Sequence, residues 1–430
     1  MSEPQFPEGP LGSLVASQTG GGTPSRQNPV YWTGPIPWAS VKDFDEGSIE
    51  LLETDEQISQ QGLNASASNL IPANTPIVCT RMAVGRVAAA PMDVAINQDL
   101  KALFPARSAD ARYLLRLADY TKPRAEAVSV DSTVKGIKVS DYLNIEVPLA
   151  PPSQQSKIAE VLDTLDAAIR GTEAVVAKLK AMKQGLLHDL LTRGIDANGD
   201  LRPPQPEAPH LYKQTPLGWL PKEWDVREVQ DMLAAVDPAM RSGPFGSALL
   251  KEELVSDGIP FLGIDNVFVE RFDRNYRRFV TPRKFLQLRR YAVRPDDLMI
   301  TIMGTVGRCC LVPNDVGEAI SSKHTWTISL DRLKYSPYLA MLQVNYSDWV
   351  LRHFSKDQQG GTMSAIRSET IRSTQLPVPP REEQEAIEAI LLELSNRLHK
   401  EEKMLDKLRL QKSGMMDDLL TGRVPVTPLL

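Results

Sequence analysis

Residues 148–192 read PLAPPSQQSKIAEVLDTLDAAIRGTEAVVAKLKAMKQGLLHDLLT, and residues 377–421 read PVPPREEQEAIEAILLELSNRLHKEEKMLDKLRLQKSGMMDDLLT. Laid side by side at an offset of 229, without a gap, they agree at 15 of 45 positions. The shared positions include Pro148/Pro377, Pro151/Pro380, Gln155/Gln384, Ile158/Ile387, Leu165/Leu394, Lys178/Lys407 and Leu179/Leu408. Both tracts end in Asp-Leu-Leu-Thr. Repetition over this length marks a duplicated unit.

Each tract reads as one long helix. A proline cluster suits a sharp helix start, and no proline follows until the repeat is over. Ser153 is the expected N-cap of the first helix, and Glu382 and Glu383 favour the first turn of the second. In the first tract Ile158, Leu162, Leu165, Ile169, Val176, Leu179, Leu186 and Leu190 advance by alternating fours and threes, with Thr172 and Lys183 in the gaps. In the second, Ile387, Leu391, Leu394, Leu398, Leu405, Leu408, Met415 and Leu419 do the same around Glu401 and Lys412. A period of 3.5 turns a narrow apolar seam toward a partner helix. At a rise of 1.5 Å per residue each helix is a rod of roughly 57 Å. Val161, Val175, Leu187 and Leu191 widen the first seam, as Ile390, Met404, Met416 and Leu420 widen the second. The two rods are therefore expected to pack together, with their wide terminal thirds against other subunits. Gly185 and Gly414 share one repeat position, where close helix approach and a local bend explain them equally well.

Each rod follows a larger segment. Strand-like runs such as residues 76–82, 297–303 and 324–330 mix with shorter helical patterns such as 336–354, and residues 194–210 have the composition of a linker. The segments echo each other weakly. Ile36-Pro37-Trp38 stands 223 residues before Ile259-Pro260-Phe261, and Val84-Gly85-Arg86 stands 222 before Val306-Gly307-Arg308. The expected fold is α/β, with two duplicated mixed domains separated by a long antiparallel helical coiled-coil pair. The boundaries drawn are a first domain at 1–146, a first rod at 147–193 and a linker at 194–212. A second domain at 213–376, a second rod at 377–423 and a tail at 424–430 complete the chain.

The chain has 430 residues with 49 Lys and Arg against 54 Asp and Glu, a net charge of -5. That balance excludes a uniformly basic nucleic-acid binder but allows a local basic face. One exists. Residues 271–294 read RFDRNYRRFVTPRKFLQLRRYAVR, with a net charge of +8 and five aromatics interleaved. Guanidinium groups bind phosphates and reach guanine edges bidentately, so Arg271, Arg274, Arg277, Arg278, Arg283, Lys284, Arg289 and Arg290 are candidate DNA contacts. A solvated basic face around a buried aromatic strand is the alternative. In the first segment residues 101–124 carry a net +4, and Lys101, Arg107 and Arg112 are weaker candidates.

Other chemistry finds no support. The glycine-bearing loops at 20–25 and 242–247 lack the spacing of a phosphate-binding loop, leaving turn formation and backbone approach to phosphate both open. Asn28-Pro29-Val30-Tyr31 has no accompanying cofactor loop and reads as a turn. The three cysteines form no disulfide framework or zinc site, and the five histidines form no ligand cluster. No catalytic residue and no metal are expected. With no long apolar span and no secretory leader in Met1 to Pro10, a soluble cytoplasmic protein is expected.

Taken together, Leu376 to Ile387 (LPVPPREEQEAI), Gly185 to Gly194 (GLLHDLLTRG), Gly243 to Ser247 (GPFGS) and Gly21 to Trp38 (GGTPSRQNPVYWTGPIPW) resemble a type I restriction–modification DNA-specificity subunit, the HsdS family. The likeness covers essentially the whole chain. The first copy departs in having Ser153-Gln154-Gln155 where the second has Glu382-Glu383-Gln384, and in lacking the approach seen at Gly218-Trp219 and Trp224. The resemblance implies a non-catalytic reader of a bipartite, asymmetric DNA target, whose helices set the unread spacing and bind methylation subunits, two copies expected, together with restriction/translocase subunits. S-adenosylmethionine, ATP and magnesium would belong to those partners, with no cofactor on this chain. A coiled-coil adaptor with two duplicated peptide-binding domains is the rival reading.

Overall fold

The computed structural model describes residues 6–129, 135–355 and 366–429. The first five residues of the stretch read for a leader, and Leu430 of the tail, lie outside them. The chain forms two compact units, one made of residues 1–175 with 401–430 and the other of residues 176–400. Each unit therefore takes one globule, half of one long helix and half of the other.

The long helices run Pro152–Thr192 and Arg381–Leu420. They start later than the boundaries drawn at 147 and 377, because the prolines are used differently. Residues 146–148 and 375–378 are strands. The first helix opens on Pro152 itself, where a missing N–H costs nothing. Ser153 consequently lies inside the first turn and is not the N-cap. The two identical glutamines explain the shared entrance. Gln155 Nε2 donates to the Ala150 carbonyl at 3.0 Å while its Oε1 accepts from Asp110 N at 2.9 Å. Gln384 repeats both bonds, to the Pro379 carbonyl at 2.9 Å and from Ser336 N at 2.8 Å. Asp110 and Ser336 are the N-caps of the helices Ala111–Tyr120 and Pro337–Tyr346. Each long helix is thus pinned by one amide side chain to the end of a globular helix.

Within each unit the helix halves run antiparallel. In the first, Asp166 meets Lys412 at 2.7 Å and Glu173 meets Arg409 at 2.8 Å. In the second, Leu187, Leu190 and Leu191 share one core with Ile387 and Leu391. The seam positions Ile158, Leu162, Ile169, Leu179, Ile387, Leu391 and Leu394 are buried, while Leu165, Leu186, Leu398, Leu408 and Met415 are half-buried. Full burial of such side chains contributes about 1.5–3 kcal/mol each.

The widened terminal thirds are not left for other subunits. Leu187 and Leu191 pack with Trp224, Leu339 and Leu376 of their own globule. Met416 and Leu420 pack with Leu114, Tyr142 and Val147 of theirs. The sequence shows that these positions are apolar but not that the adjoining globule covers them.

Both globules have the same two-sheet plan. In the first, one antiparallel sheet has the order Val15–Gly20, Leu100–Pro105, Ile77–Cys79, Val87–Ala88. In the second, its counterpart has the order Met240–Ser242, Thr325–Ile328, Leu298–Thr301, Cys309–Leu311. The other sheet centres on a parallel pair, Ile36–Ala39 with Val94–Ile96 in one unit and Ile259–Leu262 with Ile320–Ser321 in the other. The weak echoes fall at matching places in this plan. Gly85 and Gly307 turn the chain at φ +81° and +88°, conformations that glycine adopts freely. All three cysteines are buried thiols on strands, and burial pushes Cys79 and Cys310 up to about 12. Among the described residues no helix is long and apolar enough to cross a membrane.

Candidate nucleic-acid interface

In the second unit the basic run is divided by the fold. Thr281 caps the short helix Pro282–Gln287 through its side chain, and that helix buries Phe285. Phe272 and Tyr276 meet edge to face at 6.5 Å and pack on a core containing Leu262 and Met299. The aromatics are therefore largely structural supports. Several cations are bound internally. Arg278 pairs with Asp265, Lys284 with Glu253 at 2.7 Å, and Arg294 Nη1 donates to the Pro238 carbonyl at 3.2 Å. Arg274 is exposed and paired with Asp315, whose carboxyl the guanidinium holds below the usual carboxylate range. Arg271 is exposed too, 4.4 Å over the Phe268 ring and 3.8 Å from Asp273.

Four remain outward. Arg277, Arg283, Arg289 and Arg290 are exposed, with no ion pair to a carboxylate among the described residues. Arg290 lies 5.3 Å over the ring of Tyr291. Cations without internal partners are the ones whose charge an incoming polyanion can neutralise. Beneath this surface, Arg241 and Asp297 form a salt bridge with side chains 2% and 1% exposed. Arg241 also donates from Nε to the Ala292 carbonyl at 2.8 Å. Burial raises the Asp297 carboxyl and lowers the Arg241 guanidinium, each opposed by the other's charge. We take both as ionised, because the paired charges and the Ser329 hydroxyl compensate the desolvation.

The first unit uses its cations differently. Arg112 binds Asp163 at 3.2 Å and the Ser156 hydroxyl at 3.3 Å, both on the long helix. Its neighbour Arg116, 3% exposed, pairs with Asp166 and with Asp163 at 2.6 Å. These residues tie globule to helix. Arg107 is exposed in the segment after the strand Leu100–Pro105, and Lys101 is half-buried opposite Gly20.

A constellation not anticipated from sequence lies in the loop beyond Gly20. Arg26 sits 3.6 Å above the Trp32 ring and forms a two-pronged pair with Glu56, its Nη2 at 2.8 Å. The two charges stabilise each other, raising Arg26 and lowering Glu56. Trp32 meets Trp38 edge to face at 5.1 Å. The residues Arg26, Trp32 and Trp38 were visible, but Glu56 joins them only through strand pairing. The glycine loops themselves have a packing explanation. A Cβ on Gly21 would run into the Ile96 carbonyl, and one on Gly243 into the Ser321 carbonyl. Asn28 caps the short 3-10 helix Pro29–Trp32, its side chain accepting from Val30 N at 3.2 Å, so the expected turn is a single helical turn. Among the described residues no group of three His, Cys, Asp or Glu side chains is placed to hold a metal ion.

The family described as type I restriction modification DNA specificity domain matches residues 7–181 and 221–408. The MjaIX type I restriction enzyme specificity subunit of Methanocaldococcus jannaschii is 26% identical over 223 residues, covering 51% of this chain and 50% of that relative. The chain thus spans half the length of that relative. The solved S subunit of a type-I restriction-modification system from M. genitalium matches 97% of this chain and 96% of its own, at a TM-score of 0.62 and 14% identity. A second solved chain, from a structure concerned with complex assembly and conformational transition of the type I R-M system, matches 99% of this chain and 100% of its own, at a TM-score of 0.53 and 15% identity. At these identities the structural likeness speaks to fold.

Proposed function

This chain belongs to the type I restriction–modification DNA-specificity family, and from that premise we propose that it is the reader of a bipartite, asymmetric duplex target. Each globule reads one half-site, and the long helices set the unread distance between them. The observation that carries this reading is a duplicated two-sheet scaffold whose exposed charge differs between copies. Equal scaffolds with unequal surfaces suit two different half-sites. In unit two the outward Arg277, Arg283, Arg289 and Arg290 supply phosphate and base contacts.

The chain itself does no bond chemistry in this proposal. Methylation subunits, two copies, bring S-adenosylmethionine, and restriction/translocase subunits bring ATP and magnesium. The helix surfaces are their docking ground, and the assembly acts in the cytoplasm. Selection from a random duplex library by the chain assembled with methylation subunits tests the reading. Two short specified half-sites at one fixed spacing are expected. Lengthening both helices by matched heptads should increase that spacing. Enrichment of no shared motif would refute DNA reading, and an unchanged spacing in a folded, lengthened variant would refute the ruler.

A further inference from the structure

We propose that Arg26 is a specificity-determining residue of the first unit, and that its free edge reads a guanine in the half-site which that unit recognises. The inference rests on the DNA-reading function above and assigns part of it to one side chain.

The geometry prepares an arginine for recognition instead of for folding. Glu56 takes one donor from each Nη, which leaves the Nε side of the fork with two parallel N–H groups. Guanine alone among the bases offers two acceptors, O6 and N7, at one major-groove edge. One face of the guanidinium is supported by the Trp32 ring, so the group cannot swing freely. That platform is itself fixed. Trp32 Nε1 donates to the Ser25 carbonyl at 3.1 Å, and Trp38 Nε1 donates to the Gly22 carbonyl at 3.2 Å. Trp38 and Glu56 are register partners on the strands Ile36–Ala39 and Glu56–Ile58. The side chain is nevertheless 54% exposed.

Exposed ion pairs add little to folding, so this degree of immobilisation calls for another use. Ordering the long side chain in advance removes an entropic cost that a base contact would otherwise bear. The arrangement is also absent from the duplicated scaffold. Ile36 and Ile259 hold equivalent places, opposite Ile58 and Val280. Two residues along each strand, Trp38 becomes Phe261, and Glu56 becomes Arg278, whose carbonyl accepts from Phe261 N at 2.8 Å. A carboxylate in one copy is an arginine in the other. The grouping of Arg26 with Trp32 and Glu56 is therefore particular to the first unit, as a determinant of one half-site must be.

The test is random-duplex selection with the assembled complex carrying wild-type chain, Arg26→Ala, Arg26→Lys or Glu56→Gln. Both Arg26 variants should flatten a guanine preference at one position of one half-site by about 10- to 100-fold. Lysine retains charge but not the two-pronged edge, so it should restore overall affinity without restoring the preference. Glu56→Gln should weaken the same position to a smaller extent. The other half-site and the spacing should not change. If the wild type selects two half-sites and Arg26→Ala selects the same ones with equal stringency, the assignment is overturned while DNA reading stands. Simultaneous loss of both half-sites in Arg26→Lys would mark a general structural role and overturn it as well. A wild type that enriches no motif would remove the parent reading and this assignment with it.

Discussion

The first globule commits Arg112 and Arg116 to ion pairs with Asp163 and Asp166 on the long helix. The second leaves four arginines of its basic run, Arg277, Arg283, Arg289 and Arg290, exposed without such pairs among the described residues. Yet the two globules share the strand order of the antiparallel sheet, the parallel central pair, the glutamine tether and the glycine that lets a loop pass a strand carbonyl. What persists across the copies is what the backbone needs. What differs is charge, which can be moved on a surface at little cost to folding. The same repeat position shows the principle on the helices: Lys412 binds Asp166 of the opposing helix, while Lys183 binds Glu270 of the second globule at 2.7 Å.

The comparison is broken most severely at the buried ion pairs, one in each copy. Arg241→Ala leaves Asp297 charged and buried, and should cost the second unit about 3–5 kcal/mol. Arg116→Ala should cost the first unit less, since Asp166 retains Lys412 and Asp163 is partly exposed. Denaturant unfolding measures the totals. Hydrogen exchange should place the first loss in the strands Met240–Ser242 and Leu298–Thr301, and the second in the helix Ala111–Tyr120. Equal losses spread over both units would contradict the assignment of each pair to its own core.

The outward set sharpens the comparison from the side of function. Reversing Arg277, Arg283, Arg289 and Arg290 to Glu should reduce DNA affinity of the assembled complex on the order of 100-fold at ~0.15 M salt. For every phosphate that these side chains no longer neutralise, the salt slope should also fall by about 0.9. Arg112→Glu should leave that slope nearly unchanged and instead loosen the first unit, because its charge is already committed to Asp163. Titrations of binding against salt separate the two outcomes. An equal change in slope would mean that Arg112 leaves the helix to meet DNA.

Much of this division was beyond reach of sequence for identifiable reasons. The helix seam was legible because its period is local: Ile158, Leu162, Ile387 and Leu391 announce themselves by spacing. The glutamine tether was visible only as the identity Gln155/Gln384, since its partners Asp110 and Ser336 lie far along the chain. The basic run gave its sign but not its directions; nothing in RRF or RKF says that Arg278 and Lys284 turn to Asp265 and Glu253 while Arg277 and Arg283 do not. Arg26 was hidden because Glu56 reaches it through a strand register that no local pattern encodes. The terminal apolar flanks were misassigned to partners for the converse reason. Periodicity measures how wide an apolar stripe is, not which part of the chain covers it.

The matched glycines of the long helices make the gentlest test of the two copies. Close approach by another element was one expectation for Gly185 and Gly414, but a Cβ at either would meet nothing within 4 Å. Neither has the positive φ that would demand glycine. Alanine is therefore accommodated sterically and gains the helix propensity that glycine forgoes, about 1 kcal/mol per site. Gly185→Ala and Gly414→Ala should each stabilise the isolated chain by that amount in thermal or denaturant unfolding, and the effects should add because the substitutions fall in different units. A gain in the isolated chain combined with weakened assembly with methylation subunits would locate a partner's close approach at that copy. If the weakened assembly followed only one of the two substitutions, the helices would prove as unequal in docking as the globules are in charge.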